Sequence, residues 1–277
     1  MNFFPEGMMD VYKTLKFGNE AQTMFYFALG IFGVQIMQHA FNCATMSTAG
    51  ASPKAAGVAC LANAAMWFLF AFIDGIRIPL GTLPPFMPKE SIMANMVIQC
   101  AIGAVNVAGW IGAGKPVALP ALPVGSLATP MIAMMANLAF FAIGCAAFTR
   151  PFLDMFVPGV MAKFGADTCA AIELIFFNAG VMMLGNTATT MMISNAEPGT
   201  PDTNYRLLRA NLYAMFFYMG KFSTEAVVNS CTGWPQPMRV SSFVSCFAVL
   251  FFAATKFGEY PITVAKTADA KATKKTK

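Results

Sequence analysis

The sequence predicts an all-α, polytopic membrane protein of about seven transmembrane helices in a duplicated 3+1+3 arrangement. Three observations lead to this prediction. Apolar residues make up 57% of the chain and charged residues only 11%, whereas charged residues are about a quarter of an ordinary soluble domain. Several apolar stretches reach the length of about 20 residues that a helix needs to cross a bilayer. Two of these stretches align without a gap at a spacing of 147 residues.

The predicted spans are separated by joints that contain helix-breaking residues. Pro84 and Pro85 lie in the second connection, and Pro116 and Pro120 lie in the third. Proline lacks a backbone donor and favours extended structure, so we expect stiff loops at both places. The predicted spans are residues 20–46, 55–76, 91–113, 127–148, 167–194, 204–229 and 239–257.

The predicted duplication depends on residues that recur in the first and fifth spans. The Lys-Phe-Gly of residues 16–18 returns at 163–165, and in the next pair of spans Ala62-Asn63 returns as Ala210-Asn211 with a slip of one residue. Four spans separate equivalent helices, so the two repeats point the same way across the membrane. This layout resembles that of the sugar-transporting SWEET proteins. Their proline-glutamine motif has no match on equivalent helices here.

The chain divides into five predicted parts. The first is an amphipathic lead-in, and the linking part contains a similar bent interfacial segment. The last is a lysine-rich tail that we expect to be disordered. The parts are the lead-in at 1–18, the first three-helix repeat at 19–113, the linking helix and interfacial segment at 114–165, the second three-helix repeat at 166–258 and the tail at 259–277.

Two polar stripes on equivalent spans are the candidate functional feature. The first span carries four polar residues at the i, i+3, i+4, i+7 spacing of one helical face. An unsatisfied polar group in hydrocarbon is costly, so these side chains must face partners or water. The repeat register places a second stripe opposite them, which predicts a shared pocket for a small polar solute. The residues are Gln35, Gln38, His39 and Asn42 in the first span and Asn178, Asn186 and Thr189 in the fifth.

Hydrogen bonding between helices is the alternative interpretation of these side chains. Such bonds are common in membrane bundles and contribute only about 0.6 to 2 kcal/mol each. His39 is the single histidine of the chain, so it cannot form a two-histidine metal or haem site. Its candidate roles are a satisfied hydrogen-bonding residue and a proton relay.

Ionisable residues within the spans are further candidates, because charge is costly in a bilayer. In the repeat register Asp74 matches Lys221, and Arg77 falls within a residue of Glu225. These opposite charges could pair across the pseudo-axis. Alternatively, Lys221 and Glu225 could pair within their own helix at i, i+4. Glu173, early in the fifth span, is a candidate proton or cation site or a contact to lipid headgroups.

The sequence carries no motif typical of an enzyme. H-E-x-x-H, G-x-S-x-G and Walker motifs are all missing. Seven cysteines are scattered without a C-x-x-C pair, so we expect no disulfide framework and no metal cluster, and we assign no cofactor. The sequence therefore predicts a transporter or channel-like protein. The alternative is a non-catalytic structural or accessory subunit of a larger membrane complex, because its abundant phenylalanine and methionine suit lipid, pigment and protein contacts equally.

Membrane lipids are the expected surroundings, with other membrane subunits or a homo-oligomer as further candidate partners. Much of the net charge of +5 lies in the lysine-rich tail, so it does not indicate a nucleic-acid partner. Lysine and arginine near the span ends predict a cytosolic N-terminus. Lys274-Lys275 fit a cytosol-facing endoplasmic-reticulum retrieval pattern, which weakly suggests an endomembrane. Six spans and one re-entrant stretch would reconcile both signals.

Overall fold

The structure is a computed structural model that describes residues 19–48, 50–81, 89–125, 127–156, 159–200 and 202–214. The regular structure within these ranges is helical. Short 3₁₀ turns at Thr45–Ser47 and Met161–Lys163 extend or connect the α-helices. The α-helices are α1 (Asn19–Ala44), α2 (Pro53–Arg77), α3 (Lys89–Gly112), α4 (Ala128–Ala147), α5 (Thr149–Phe156), α6 (Ala166–Ser194) and α7, which is helical over the described residues 202–214.

Five of the described helices, α1, α2, α3, α4 and α6, are long and apolar enough to cross a membrane. Their ends agree with the first five predicted spans to within about two residues, the usual uncertainty of a helix boundary. The chain therefore has the helix lengths and composition of an integral membrane protein. The seven-helix 3+1+3 arrangement stays a prediction. The lead-in, the seventh predicted span and the tail lie outside the described residues, as does the sixth predicted span beyond residue 214.

Helix α6 lies at the centre of the described bundle, because it packs against α1, α2, α4 and α5. A glycine permits its close approach to α4. A Cβ atom added at Gly180 would lie 2.7 Å from the carbonyl oxygen of Ala142 and 2.7 Å from the backbone nitrogen of Ala146. Aromatic packing joins α6 to α1, where the ring centroids of Phe27 and Phe176 are 6.3 Å apart.

Helix α3 packs along α2 and leaves much of its own surface outside the bundle. Gly103 of α3 is buried against Phe68 of α2, where an added Cβ would lie 2.8 Å from the ring. On the outer face Val97 and Val105 are 69% and 72% exposed. In a bilayer, such an apolar surface suits lipid tails or another apolar helix.

Polar contacts fix the end of the bundle at which α1 finishes and α2 begins. The Ser52 hydroxyl accepts a hydrogen bond from the first turn of α2 and donates to Glu197 Oε1 at 2.6 Å. Arg206 is only 5% exposed. Its guanidinium donates to Asp202 Oδ2 at 2.7 Å and to Thr48 Oγ1 at 2.5 Å. These contacts join α7 to the loop that follows α1.

Candidate functional site

The polar stripe of α1 faces the interior of the bundle. Its position follows from the helical periodicity, because residues at i, i+3, i+4 and i+7 share one face. That face lies against α6, the principal neighbour of α1. Its four members, Gln35, Gln38, His39 and Asn42, are all at most 2% exposed.

His39 lies between two asparagine side chains that come from different helices. Its Nδ1 atom is 3.1 Å from Asn186 Oδ1 of α6, and its Nε2 atom is 2.9 Å from Asn63 Oδ1 of α2. Asn63 Nδ2 in turn donates to Asn106 Oδ1 of α3 at 2.9 Å. One continuous chain of hydrogen bonds therefore joins α6, α1, α2 and α3.

Backbone carbonyl groups determine which way the asparagine side chains at the two ends of this chain point. Asn186 Nδ2 donates to the backbone oxygen of Gln35 at 2.9 Å and to Gln35 Oε1 at 3.1 Å. At the other end Asn106 Nδ2 donates to the backbone oxygen of Ile102 at 2.9 Å. A backbone carbonyl can only accept a hydrogen bond, so each of these asparagines must present its nitrogen to the carbonyl and its oxygen to the interior of the chain.

A second branch of the network runs from Gln38 to α7. Gln38 Nε2 donates to Asn211 Oδ1. Asn211 Nδ2 donates to Asn42 Oδ1 at 2.7 Å and to the backbone oxygen of Leu207 at 2.8 Å. Asn42 Nδ2 is 3.4 Å from Thr190 Oγ1 of α6, which is a long hydrogen bond. The second branch thus connects α1 to both α6 and α7.

The amide oxygen of Gln38 is the atom of this network that can still take a hydrogen bond. Gln38 is 0% exposed, and its Oε1 atom has no hydrogen-bond partner among the described residues. An unsatisfied buried acceptor costs about 1–3 kcal/mol. A bound N–H or O–H group that donated to Gln38 Oε1 would recover this free energy.

Five of the seven predicted stripe residues belong to this network, and two do not. Thr189 is buried at 3% exposure, but the hydroxyl that contacts Asn42 belongs to the next residue, Thr190. Asn178 lies about two turns, or about 12 Å, before Asn186 on α6. Its Oδ1 atom is buried without a partner in the described part of the chain. The solute-binding role of all seven stays a prediction.

Three asparagines of the network were not among the predicted site residues. They are Asn63, Asn106 and Asn211, which come from α2, α3 and α7. Asn63 and Asn211 occupy matching positions in the proposed repeats, and that equivalence is a signal that could have identified them. Asn106 lies on the same face of α3 as Asn95 and Gln99, eleven and seven residues earlier, and that spacing is a signal that could have identified it.

The charged candidates on α2 lie near its end and are largely neutralised there. Asp74 Oδ1 is 3.7 Å from Arg77 Nη1. Asp74 Oδ2 accepts hydrogen bonds from Asn95 and Gln99 of α3, both at 3.1 Å. The Arg77 guanidinium also lies over the ring of Phe177, 5.4 Å from its centroid. This cluster ties α2, α3 and α6 together and forms no contact with His39.

The remaining charged candidates are not part of the network either. Glu173 accepts a hydrogen bond from the Arg150 side chain of α5. This hydrogen bond and the opposite charge raise the pKa of the Arg150 guanidinium. The Arg150 side chain is 62% exposed, so the pair contributes little to stability. Lys221 and Glu225 lie outside the described residues, and their pairing stays a prediction.

The network contains one imidazole, several amides and a hydroxyl, so its chemistry is hydrogen bonding and proton exchange. Within the ranges described, no group of three or more His, Cys, Asp or Glu side chains could hold a metal ion. Comparisons with protein-family models, with characterised proteins and with solved structures give no match for this chain. The function is therefore inferred from the chemistry of the network itself.

Proposed function

We propose that the chain is a membrane transporter for a small polar solute, which binds at the network between α1 and α6. The observation that supports this most directly is Gln38, whose Oε1 atom is buried and unpartnered among the described residues. Binding sites for small polar molecules typically combine apolar walls with a few placed polar groups. Here the convergent amides favour a solute that donates hydrogen bonds.

The relationship between α1 and α6 also supports a transporter. The two helices contain the stretches that align at a spacing of 147 residues in the proposed duplication. In their C-terminal halves the equivalent residues His39 and Asn186, 147 positions apart, are in direct contact. Transporters with internal repeats bind their substrates where the repeats meet. The network lies at such a place if the duplication is correct.

The burial of the network favours a transporter over a continuously open channel. Gln38 and Asn42 are 0% exposed, and His39 is 2% exposed. A solute can reach these atoms only if the helices around them separate. Movement of one repeat against the other would expose the site first to one side of the membrane and then to the other.

Flux through liposomes tests the proposal. The transported solute is first identified among labelled sugars, amino acids and ammonium compounds. We expect Gln38→Leu and His39→Leu to abolish its flux and to leave the yield of folded protein unchanged. Asn137→Leu is the matched control, because Asn137 of α4 forms no side-chain hydrogen bond in the part of the chain that the structure describes. An equal loss of folded protein in the Gln38 and His39 variants would support interhelical hydrogen bonding and contradict a solute site.

A second function, an accessory subunit of a larger membrane assembly, is favoured by the outer face of α3. Val97 and Val105 on this face are among the most exposed large apolar residues described. Native size after gentle extraction, with mass-spectrometric identification of co-purifying proteins, separates the two functions. A particle of one or two copies supports the transporter. A large assembly of defined stoichiometry supports the accessory subunit.

A further inference from the structure

The hydrogen-bond chain through His39 ends in acceptors on both sides. On one side the backbone oxygen of Ile102 orients Asn106, whose Oδ1 atom then orients Asn63. On the other side the backbone oxygen of Gln35 orients Asn186. Each asparagine donates away from the ring. Consequently His39 faces two oxygen atoms, Asn63 Oδ1 at 2.9 Å and Asn186 Oδ1 at 3.1 Å.

A neutral imidazole cannot satisfy both of these oxygens. It has one N–H group, so its other nitrogen would direct a lone pair at an oxygen lone pair. An imidazolium has two N–H groups and donates to both. We propose that His39 is a proton-binding site, and that the hydrogen-bond pattern in the structure is the pattern of its protonated form.

Other titratable groups near the ring do not remove this requirement. Cys43 Sγ is 3.9 Å from His39 Nε2, but it is also 3.7 Å from the backbone oxygen of Ala59, and a thiol is a weak donor. Cys60 of α2 forms no hydrogen bond to the ring among the described residues. Among the described side chains of α2, α6 and α7, no ionised group lies within ion-pair distance of His39. Among the described residues, amide oxygens are therefore the groups that stabilise the protonated ring.

Loss of the proton should rearrange the network. A neutral ring requires one asparagine to turn and present its nitrogen. If Asn63 turns, its oxygen meets Asn106 Oδ1 and the link between α2 and α3 is weakened. If Asn186 turns, its donation to the Gln35 backbone is lost and the link between α1 and α6 is weakened. Proton release thus loosens contacts between helices. Coupling of this step to solute movement rests on the proposed transport function, whereas proton binding itself does not.

The single histidine of the chain makes a direct test possible. Full-length protein with ¹⁵N-labelled histidine in liposomes gives one set of imidazole signals, which report the hydrogens on each ring nitrogen between about pH 5 and about pH 8. We expect hydrogens on both nitrogens in the protonated form. In Asn106→Leu, Asn63 is free to turn and donate to Nε2, so a neutral ring is satisfied. Proton binding should then weaken about tenfold, and the titration midpoint should fall by about one pH unit relative to wild type.

Two further variants keep the test decisive. Asn63→Leu removes one acceptor directly and should lower the midpoint as Asn106→Leu does, even if Asn106→Leu does not fold. Asn137→Leu should leave the midpoint unchanged. Equal titration midpoints in the wild type and in the Asn63 and Asn106 variants would overturn the proposal. It would also be overturned if one ring nitrogen of His39 carried no hydrogen at any pH above the pH at which the protein unfolds. If the midpoint shifts in these variants but no solute is transported, the proton site is supported and the transporter is contradicted. If a solute is transported but the midpoint does not shift, the transporter is supported and the proton site is contradicted.

Discussion

His39 Nδ1 of α1 lies 3.1 Å from Asn186 Oδ1 of α6, and the two residues are separated by 147 positions, the spacing of the proposed repeat. Contact between equivalent residues is the geometry expected close to an axis that relates two repeats. This pair is one of several contacts that join the two proposed repeats, because Asn186 Nδ2 also donates to the backbone oxygen of Gln35 at 2.9 Å.

A double-mutant cycle should measure the strength of this junction. His39→Leu and Asn186→Leu each leave a buried partner unsatisfied, so each should lower the free energy of unfolding by about 1–3 kcal/mol without lowering the yield of folded protein. In the double variant both polar groups are gone, and its loss should be smaller than the sum of the two single losses. Reversible unfolding in mixed micelles would give the three values. Strictly additive losses would contradict a direct interaction between the two side chains.

The close approach of α4 and α6 leads to a prediction about glycine. Gly180→Ala would place a Cβ 2.7 Å from the Ala142 carbonyl oxygen, so the two helices must separate, at a cost of about 1–3 kcal/mol. Gly112 of α3 is the matched control, because an added Cβ there would meet no atom within 4 Å. Gly112→Ala should be neutral or stabilise by up to about 1 kcal/mol. Thermal unfolding of both variants compares them, and equal melting temperatures would show that α4 and α6 are not tightly packed at Gly180.

The five helices of spanning length, α1, α2, α3, α4 and α6, could be predicted from sequence because hydrophobic length determines where a helix can cross a bilayer. The end of α3 was also predictable, since Pro116 and Pro120 follow it and proline disrupts the interior of a helix. The inward orientation of the α1 stripe followed from its spacing. In each case the signal is local, so no knowledge of the neighbouring helices was needed.

The partners of the stripe could not be predicted in the same way. Adjacent residues on a helix point about 100° apart. A repeat alignment that is uncertain by one residue therefore does not determine which side chain of α6 faces a given residue of α1. Asn42 accordingly meets Thr190 and not Thr189. Asn106 shares a helical face with Asn95 and Gln99, but only the packing of α3 on α2 brings it to Asn63. Contacts between helices depend on how each helix is rotated, which one sequence does not determine.

The buried Arg206 of α7 should contribute more to stability than the half-buried Arg209. Arg206 is 5% exposed and donates to Asp202 and Thr48. Arg206→Met should lower the free energy of unfolding by about 1.5–3 kcal/mol, the contribution of hydrogen bonds to a charged group. Arg209 lies over the ring of Tyr205 at 5.8 Å, so Arg209→Met should cost at most about 1 kcal/mol. If both variants unfold alike, the contact between α7 and the loop after α1 contributes little.

The outer face of α3 gives a prediction that separates lipid from protein contact. A photo-reactive amino acid in place of Val105, which is 72% exposed, should form adducts with lipids if the chain works as a transporter of one or two copies. The same group in place of Val58, which is 0% exposed, should cross-link within the chain and serves as the control. Mass spectrometry after illumination in the native membrane identifies the products. A single protein adduct at Val105 would contradict the lipid-facing assignment, because lipid tails cannot produce it, and would make α3 the contact surface of an accessory subunit.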